Sequence, residues 1–179
     1  HEWWIDIYNP EQAVKEAIRL SKNSNSPVVI ADTQDNPGAG GNSNTTGMLR
    51  ALLSNRARDA ALGILFDPEA AEAAHKTGVG KTITLGLGGE PALGDHPFEG
   101  TFNIDFLSNG NLTVKGPMMR GAKISLGPTA CLRIDGVCIV VGSSKVQMLD
   151  RELYRVGGVE PEKKKILVNK SSVHFRADF

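Results

Sequence analysis

Apolar positions along the chain follow two rhythms, one in each half. In the first half, Ala13, Val14, Ala17 and Ile18 form a single stripe at helical spacing behind Asn9-Pro10-Glu11-Gln12. Asn9 can cap this helix, Pro10 suits its first position, and Gln12 can reach back as in a capping box. Glu11 and Lys15 can pair four residues apart on the wet side. The unbroken run Pro27-Val28-Val29-Ile30-Ala31 predicts a strand buried on both faces. Thirteen residues without apolar periodicity follow, Asp32 to Asn44. Asn44 or Thr45 then caps a helix bearing Met48, Leu49, Leu52 and Leu53 on one face. A second buried strand is expected over Ala60–Phe66. The next helix has Asp67 as cap and Pro68 at its first position, and Gly78 is available as a left-handed stop. The order α, β, α, β, α favours parallel pairing through helical crossovers.

The second half alternates with a period of two instead. Strands are predicted over Lys81–Leu87 and over Phe98–Leu107, the latter with Phe98, Phe102, Ile104 and Phe106 on one side. Ser108-Asn109-Gly110-Asn111 is a turn leading into Leu112-Thr113-Val114. The clearest hairpin is Thr129–Gly142, turning at Asp135-Gly136. A two-residue loop sets Ile134 opposite Val137, Leu132 opposite Ile139 and Ala130 opposite Val141, so one face is wholly apolar. A short helix near Asp150–Val156 and a last strand, Ile166-Leu167-Val168, complete the pattern. The fold class is therefore α/β, a mixed sheet with a parallel βα portion in the first half and antiparallel hairpins in the second. One domain covers residues 1–179.

Composition narrows the function classes. The 179 residues carry 20 Lys and Arg against 20 Asp and Glu, a formal net charge of zero. That balance gives no electrostatic reason to bind nucleic acid or an anionic membrane. No apolar stretch approaches the roughly 18 residues of a membrane span. The hairpin register places Cys131 and Cys138 on one face but diagonally, where Cβ atoms are roughly 7 Å apart or somewhat less. A disulfide needs about 3.8 Å. Two free thiols are expected, in keeping with a cytoplasmic protein. The chain opens on His1 rather than Met, and His1-Glu2-Trp3-Trp4 is neither a signal peptide nor a tag. It reads as a piece of a longer two-domain protein.

Three groups of residues could carry chemistry. The first is the Gly-rich loop, where Gly38, Gly40 and Gly41 leave backbone N–H groups able to approach an anion ahead of a helix. It matches neither phosphate-binding signature, since no Gly-Lys-Ser/Thr follows and Ser43 stands where a third Gly belongs. The plain alternative is a connection whose Asn and Gly residues satisfy turn geometry. Asp32 and Asp35 form the second group, at the end of a buried strand where reactive groups commonly project; Asp35-Asn36-Pro37-Gly38 is also a good turn sequence. The third is His174 and Arg176, with Lys170, Ser171 and Ser172 beside them. Arginine there suits a substrate carboxylate. No His-Glu-x-x-His, Cys-x-x-Cys or His-x-His occurs, so no metal ligands are assigned.

Several of these segments resemble one family. Pro27-Val28-Val29-Ile30-Ala31-Asp32-Thr33-Gln34-Asp35-Asn36-Pro37-Gly38, Thr45-Thr46 with Leu49-Arg50-Ala51-Leu52-Leu53, Gly116-Pro117-Met118, Leu126-Gly127-Pro128-Thr129-Ala130 and Lys170-Ser171-Ser172-Val173-His174-Phe175-Arg176 are similar to the C-terminal domain of the MlrC family. The similarity runs from about Pro10 to the end. Ala39 and Asn44 depart from that family's loop pattern. The resemblance implies a zinc metallopeptidase acting on linear peptides, with the metal ligands in an N-terminal domain and no zinc held by this chain. Its partners would be that N-terminal domain and a peptide substrate, and self-association is left open. Carried over, Asp32 and His174 are candidate catalytic residues. Asp35, Asn36, Gly38, Ser171, Ser172 and Arg176 are candidate substrate contacts. The alternative is a non-catalytic module that binds a small anion through the Gly-rich loop or docks a partner through Trp3 and Trp4.

Overall fold

The computed structural model describes residues 7–179; the Trp3–Trp4 docking end lies outside them. Helix α1, Pro10–Ser21, starts as its sequence dictates. The Asn9 side chain accepts the Gln12 N–H at 2.9 Å, and Gln12 Oε1 accepts the Asn9 N–H at 3.1 Å. Val14 and Ala17 are its buried contacts. Strand β1 is Val28–Ala31, helix α2 Gly47–Ser54, strand β2 Ala60–Phe66 and helix α3 Pro68–Thr77. Strands β3, Thr82–Leu87, and β4, Phe98–Ser108, come next. Then follow β5, Asn111–Thr113; β6, Lys123–Ser125; β7, Thr129–Ile134; and β8, Val137–Gly142. Helix α4, Glu152–Arg155, and strand β9, Ile166–Asn169, close the chain.

Seven strands form one mixed sheet in the order β1-β9-β2-β8-β7-β4-β3, and β5 and β6 pair as a separate hairpin. Strands β1, β9, β2 and β8 are parallel neighbours, and β8, β7, β4 and β3 are antiparallel ones. The α/β class holds. Its parallel part, however, is completed by β8 and β9 from the second half of the chain. Both faces of the sheet are covered. Helices α1, α2 and α3 close one core over Leu62, Leu132 and Ile139. Helix α4 and the loop bearing Met148 close the other over Ile64, Val140 and Leu167. Among the described residues no helix is long and apolar enough to cross a membrane.

The hairpin register is as predicted, with Ile134 opposite Val137, Leu132 opposite Ile139 and Ala130 opposite Val141. Asp135 and Gly136 turn with φ of 47° and 83°, the left-handed pair that a two-residue hairpin requires. Four local expectations are corrected. Strand β1 is not buried on both faces; it is an edge strand, half-buried throughout, because β9 inserts between it and β2. The cap of α2 is Thr46 rather than Asn44 or Thr45, and its N–H and hydroxyl donate to Asp95 at 2.8 and 2.9 Å. Gly78 has φ 99° but ψ 154°, so it ends α3 without entering the left-handed helical region.

The fourth correction concerns β4. Its register slips between Ile104 and Phe106, so Asp105 and Phe106 together face Cys131. Such a bulge re-aims side chains. Phe106 leaves the stripe of Phe98, Phe102 and Ile104, and Leu107 packs on the first core in its place. Phe106 lies instead against Gly158, whose φ is 72°. A Cβ at Gly158 would meet Phe106 Cβ and Cδ1 at 2.8 Å. Gly158→Ala is therefore expected to lower stability by about 1–3 kcal/mol, read as a lower urea midpoint at unchanged slope. Adding Phe106→Ala should recover only the part of that loss due to the ring, since the contact with the Cβ of residue 106 and the backbone part remain.

Candidate functional site

Strands β1 and β9 run side by side in the same direction, so the segments that leave their carboxyl ends emerge together. This is where open parallel sheets place ligands. From β1 come Asp32, Asp35 and Asn36; from β9 come Lys170, Ser171 and Ser172. The Asp32 N–H donates to the Asn169 carbonyl at 2.8 Å and continues the ladder one step past the strand.

Lys170 stands at the centre and is fully buried. Its Nζ donates to Asp32 Oδ2 at 3.1 Å, to Asp35 Oδ2 at 2.6 Å and to the Thr45 carbonyl at 3.1 Å. An ammonium without solvent contact is tolerable only when paired and hydrogen-bonded in this way. Asp35 is 2 % exposed and accepts from three further donors: the Ser43 N–H at 2.6 Å, the Thr45 N–H at 2.8 Å and the Thr45 hydroxyl at 2.8 Å. Burial alone would raise its carboxyl, but the charge and hydrogen bond of Lys170, with the Thr45 donors, outweigh burial and hold it below the usual carboxylate range. Its acceptor capacity of about four sites is then full. Asp32, 9 % exposed, accepts from Lys170 alone among the described residues. It also lines a cavity of 410 Å³ with Pro10, Gln34, Met48 and Leu93.

The Gly-rich loop folds around Asp35 rather than around an outside anion. Besides the Ser43 and Thr45 N–H groups, the Gly38 N–H donates to Asn36 Oδ1 at 3.0 Å, those of Ala39 and Gly41 donate to the Asn36 carbonyl, and that of Gly40 donates to the Pro37 carbonyl. The expectation that these donors face a bound anion is thus corrected: they are already engaged within the loop. A Cβ at Gly41 would stand 2.8 Å from the Asn36 nitrogen, so the glycine is required by the loop's own closure. Ser43 adopts φ 61° and is held there by three bonds. Its N–H goes to Asp35, its hydroxyl donates to the Ile64 carbonyl at 2.8 Å, and its carbonyl accepts the Phe66 N–H at 2.8 Å.

The rest of the site hangs on Gln147, which the sequence did not single out. Its amide contacts Ser171 Oγ at 3.0 Å and His174 Nδ1 at 2.9 Å. Gly38 makes room for it, since a Cβ there would collide with this amide. Asn36 Nδ2 donates to Ser172 Oγ at 2.9 Å and ties the two strand ends together. Of the predicted residues, Asp32 and Asp35 meet at Lys170, Asn36 joins Ser172 and the Gly38 N–H, and Ser171 and His174 meet at Gln147. Arg176 is exposed nearby, its guanidinium 6.0 Å from the Phe175 ring centre. Lys170 and Gln147 are the centres of two of these groups. A lysine directly after a buried strand, facing two aspartates after another, was the signal available for the first; Gln147 had none.

This donor set does not fit zinc. The two carboxylates already share an ammionium-type counter-charge in Lys170, and the one imidazole, His174, is exposed and bonded to Gln147. A closed site needs four donors and a catalytic one three.

Fold and site together define a mixed α/β domain with a polar network at the carboxyl ends of its parallel strands. The chain matches the family model described as MlrC C-terminus over residues 30–179 and belongs to that family. It is similar to Microcystinase C of Sphingomonas sp., 29 % identical over 172 residues that make up 95 % of this chain and 33 % of that protein. It also resembles the crystal structure of a candidate metallopeptidase from Mesorhizobium sp. BNC1, with TM-score 0.83 and 22 % identity over 93 % of this chain and 34 % of that one. The latter likeness is one of fold. The chain spans about one third of the length of these relatives.

Lys170→Met should leave two buried carboxylates without their cation and lower stability by about 3–5 kcal/mol in denaturant titrations. The native Asp35 carboxyl lies below its unfolded value of 3.8. Its ionised form therefore contributes stability that is present above about pH 4 and lost as pH falls through the native value. The urea midpoint of the wild type should drop on that acid limb, and Asp35→Asn should flatten the drop.

Proposed function

We propose that this chain is the C-terminal domain of a metal-dependent peptidase that cleaves linear peptides, and that it supplies one wall of the substrate cleft. The observation that carries this reading is the division between the two aspartates. Asp35 is saturated and builds the loop, whereas Asp32 keeps acceptor capacity and faces a cavity. Family membership and the likeness to Microcystinase C support the reaction class.

In this reading Asp32 accepts a hydrogen bond from the peptide, or holds a proton, at its free carboxylate oxygen, and Lys170 fixes the carboxylate in position. His174, oriented through Nδ1 by Gln147, offers its other ring nitrogen for proton transfer at the cleft rim. Arg176 forks the substrate's carboxylate. Ser172 and Asn36 keep the two strand ends at fixed separation. Zinc, held by the rest of the protein, would polarise the scissile carbonyl when bound. The N-terminal part that carries it is the partner this wall faces.

The test is peptide cleavage by the whole protein with Asp32→Asn and Arg176→Ala, at matched folded fractions. Asp32→Asn should lower kcat/KM by about 10²–10⁴-fold, as for loss of a proton-transfer or positioning group. Arg176→Ala should act chiefly on KM, and only for peptides with a free carboxylate near the cleaved bond. Wild-type rates in both variants would remove the assigned roles.

A further inference from the structure

The amino ends of the parallel strands, opposite the candidate site, carry a cluster of charge that the fold itself does not use. A cavity of 380 Å³ opens there between the end of α1 and the turn 56–59 that joins α2 to β2. Lys22, Arg56, Arg58 and Lys165 line it against one carboxylate, Asp59. All four cations are exposed. Four cations against one anion leave a local charge of +3 in a chain whose formal charge is zero. None of the four is in an ion pair among the described residues. Elsewhere Arg19, Arg133, Arg151 and Arg155 each meet a carboxylate, and Arg50 meets two carbonyls. Of the four side chains here only that of Arg58 makes a hydrogen bond among the described residues, from one terminal nitrogen to the Asp135 carbonyl at 2.5 Å.

Helix ends account for part of this cluster. Helices α1 and α2 both finish here, and cations are favoured at such ends. That covers Lys22 and Arg56 but not Arg58 or Lys165, which stand before β2 and β9. Arg56 supplies a second, separate observation. Its N–H donates to the Leu53 carbonyl at 3.0 Å and that of Ala57 to the Leu52 carbonyl at 2.9 Å, the paired bonds of a Schellman stop. Arg56 thereby takes the left-handed position of the motif, at φ 54°, where glycine is favoured for want of a Cβ. An arginine is held there against backbone preference, and its guanidinium makes no bond within the described residues that would offset the strain. Such a local conflict without local compensation is characteristic of functional positions. The turn is also fixed in place, since the Asp59 carbonyl accepts the Lys165 N–H at 2.8 Å and ties it to the start of β9.

We propose that this cavity binds the diphosphate group of a small molecule, held by Lys22, Arg56, Arg58 and Lys165. Two phosphoryl groups bring a charge of about −3 at neutral pH, which matches the local surplus. Arginine forks phosphate oxygens, and lysine meets them as a point charge. The volume falls within the roughly 300–1,000 Å³ of small-molecule sites. Ile18 and Ile166, which also line the cavity, give the ligand an apolar wall beside the charges.

The experiment is titration calorimetry of the 179-residue chain with sodium pyrophosphate and, in a second arm, with ADP, both in metal-free buffer. Pyrophosphate should bind at one site, with an affinity that falls between about 20 mM and about 150 mM salt. Arg58→Gln and Lys165→Gln should each weaken it by about tenfold, as for loss of a hydrogen bond to a charged group. Arg56→Gly should weaken it similarly without lowering the urea midpoint, because glycine suits the left-handed position; a merely structural arginine would not separate the two readouts in this way. Tighter binding of ADP assigns the diphosphate to a nucleotide, and tighter binding of pyrophosphate assigns it to the free anion. The proposal is overturned if pyrophosphate at about 1 mM gives no saturable heat, or if the three variants bind it as the wild type does. It is equally overturned if Lys81→Gln and Lys123→Gln, which change exposed lysines outside the cavity, weaken binding as much.

Discussion

A lysine ammonium without solvent contact has to be neutralised, and the strand-end site is organised by how that happens at Lys170. Its two carboxylate partners lie 138 and 135 residues away in sequence, both just beyond the end of the strand beside its own. Pairing β1 with β9 therefore brings the charges together, and the charges in turn fix where the loop after β1 can go. Replacing such a group by apolar residues is often neutral for stability, whereas removing one partner is costly. The ion cluster is thus better understood as a specifier than as a source of net stability: the sheet could close without it, but the loop from Asp35 to Thr45 would have no reason to choose this path.

The loop shows the same principle at the level of the backbone. A run of Asn and Gly with free N–H groups ahead of a helix has the makings of an anion site, and it does enclose an anion, its own Asp35. Loop and carboxylate satisfy one another. Ser43 can occupy a left-handed backbone position because its N–H, hydroxyl and carbonyl are all bonded there. Gly38 and Gly41 are small for internal reasons, one to admit Gln147 and the other to let the chain pass its own backbone.

What was legible in the sequence follows from the range of the interactions involved. The Thr129–Gly142 hairpin could be read down to its register, because alternation and an Asp-Gly turn are local and agree. Strand β1 looked central because its residues are apolar, yet its burial depends on β9 arriving from the far end of the chain. Phe106 was misplaced for a different reason: alternation assumes a regular pleat, and nothing in Ile104-Asp105-Phe106 announces the bulge. At the site, Asp32 and His174 could be picked out as polar residues following apolar strands, and Asn36 and Ser171 through the family resemblance. Lys170 could be suspected from its place directly after an apolar strand, but Gln147 could not, since its role exists only once distant segments meet.

The two lysines, Lys170 and Lys164, also set the polarity of the domain. Each stands at a boundary of β9, one after its carboxyl end and one before its amino end; Lys170 neutralises the carboxylates that follow β1, and Lys164 donates to Cys138 Sγ on β8. The outcomes differ because the partners do. At Lys170 two carboxylates meet one ammonium, and four donors crowd onto Asp35 while Asp32 keeps unused acceptor capacity, so a net negative charge remains beside the cavity. At Lys164 a single sulfur, Cys138 Sγ at 3.3 Å, meets the ammonium, and the nearby Asp105 is held by Arg133. A surplus of acceptors leaves Asp32 able to meet a further donor, whereas near Lys164 the Asp105 carboxylate already has its cation. The difference follows from counting donors and acceptors at the two ends of one strand.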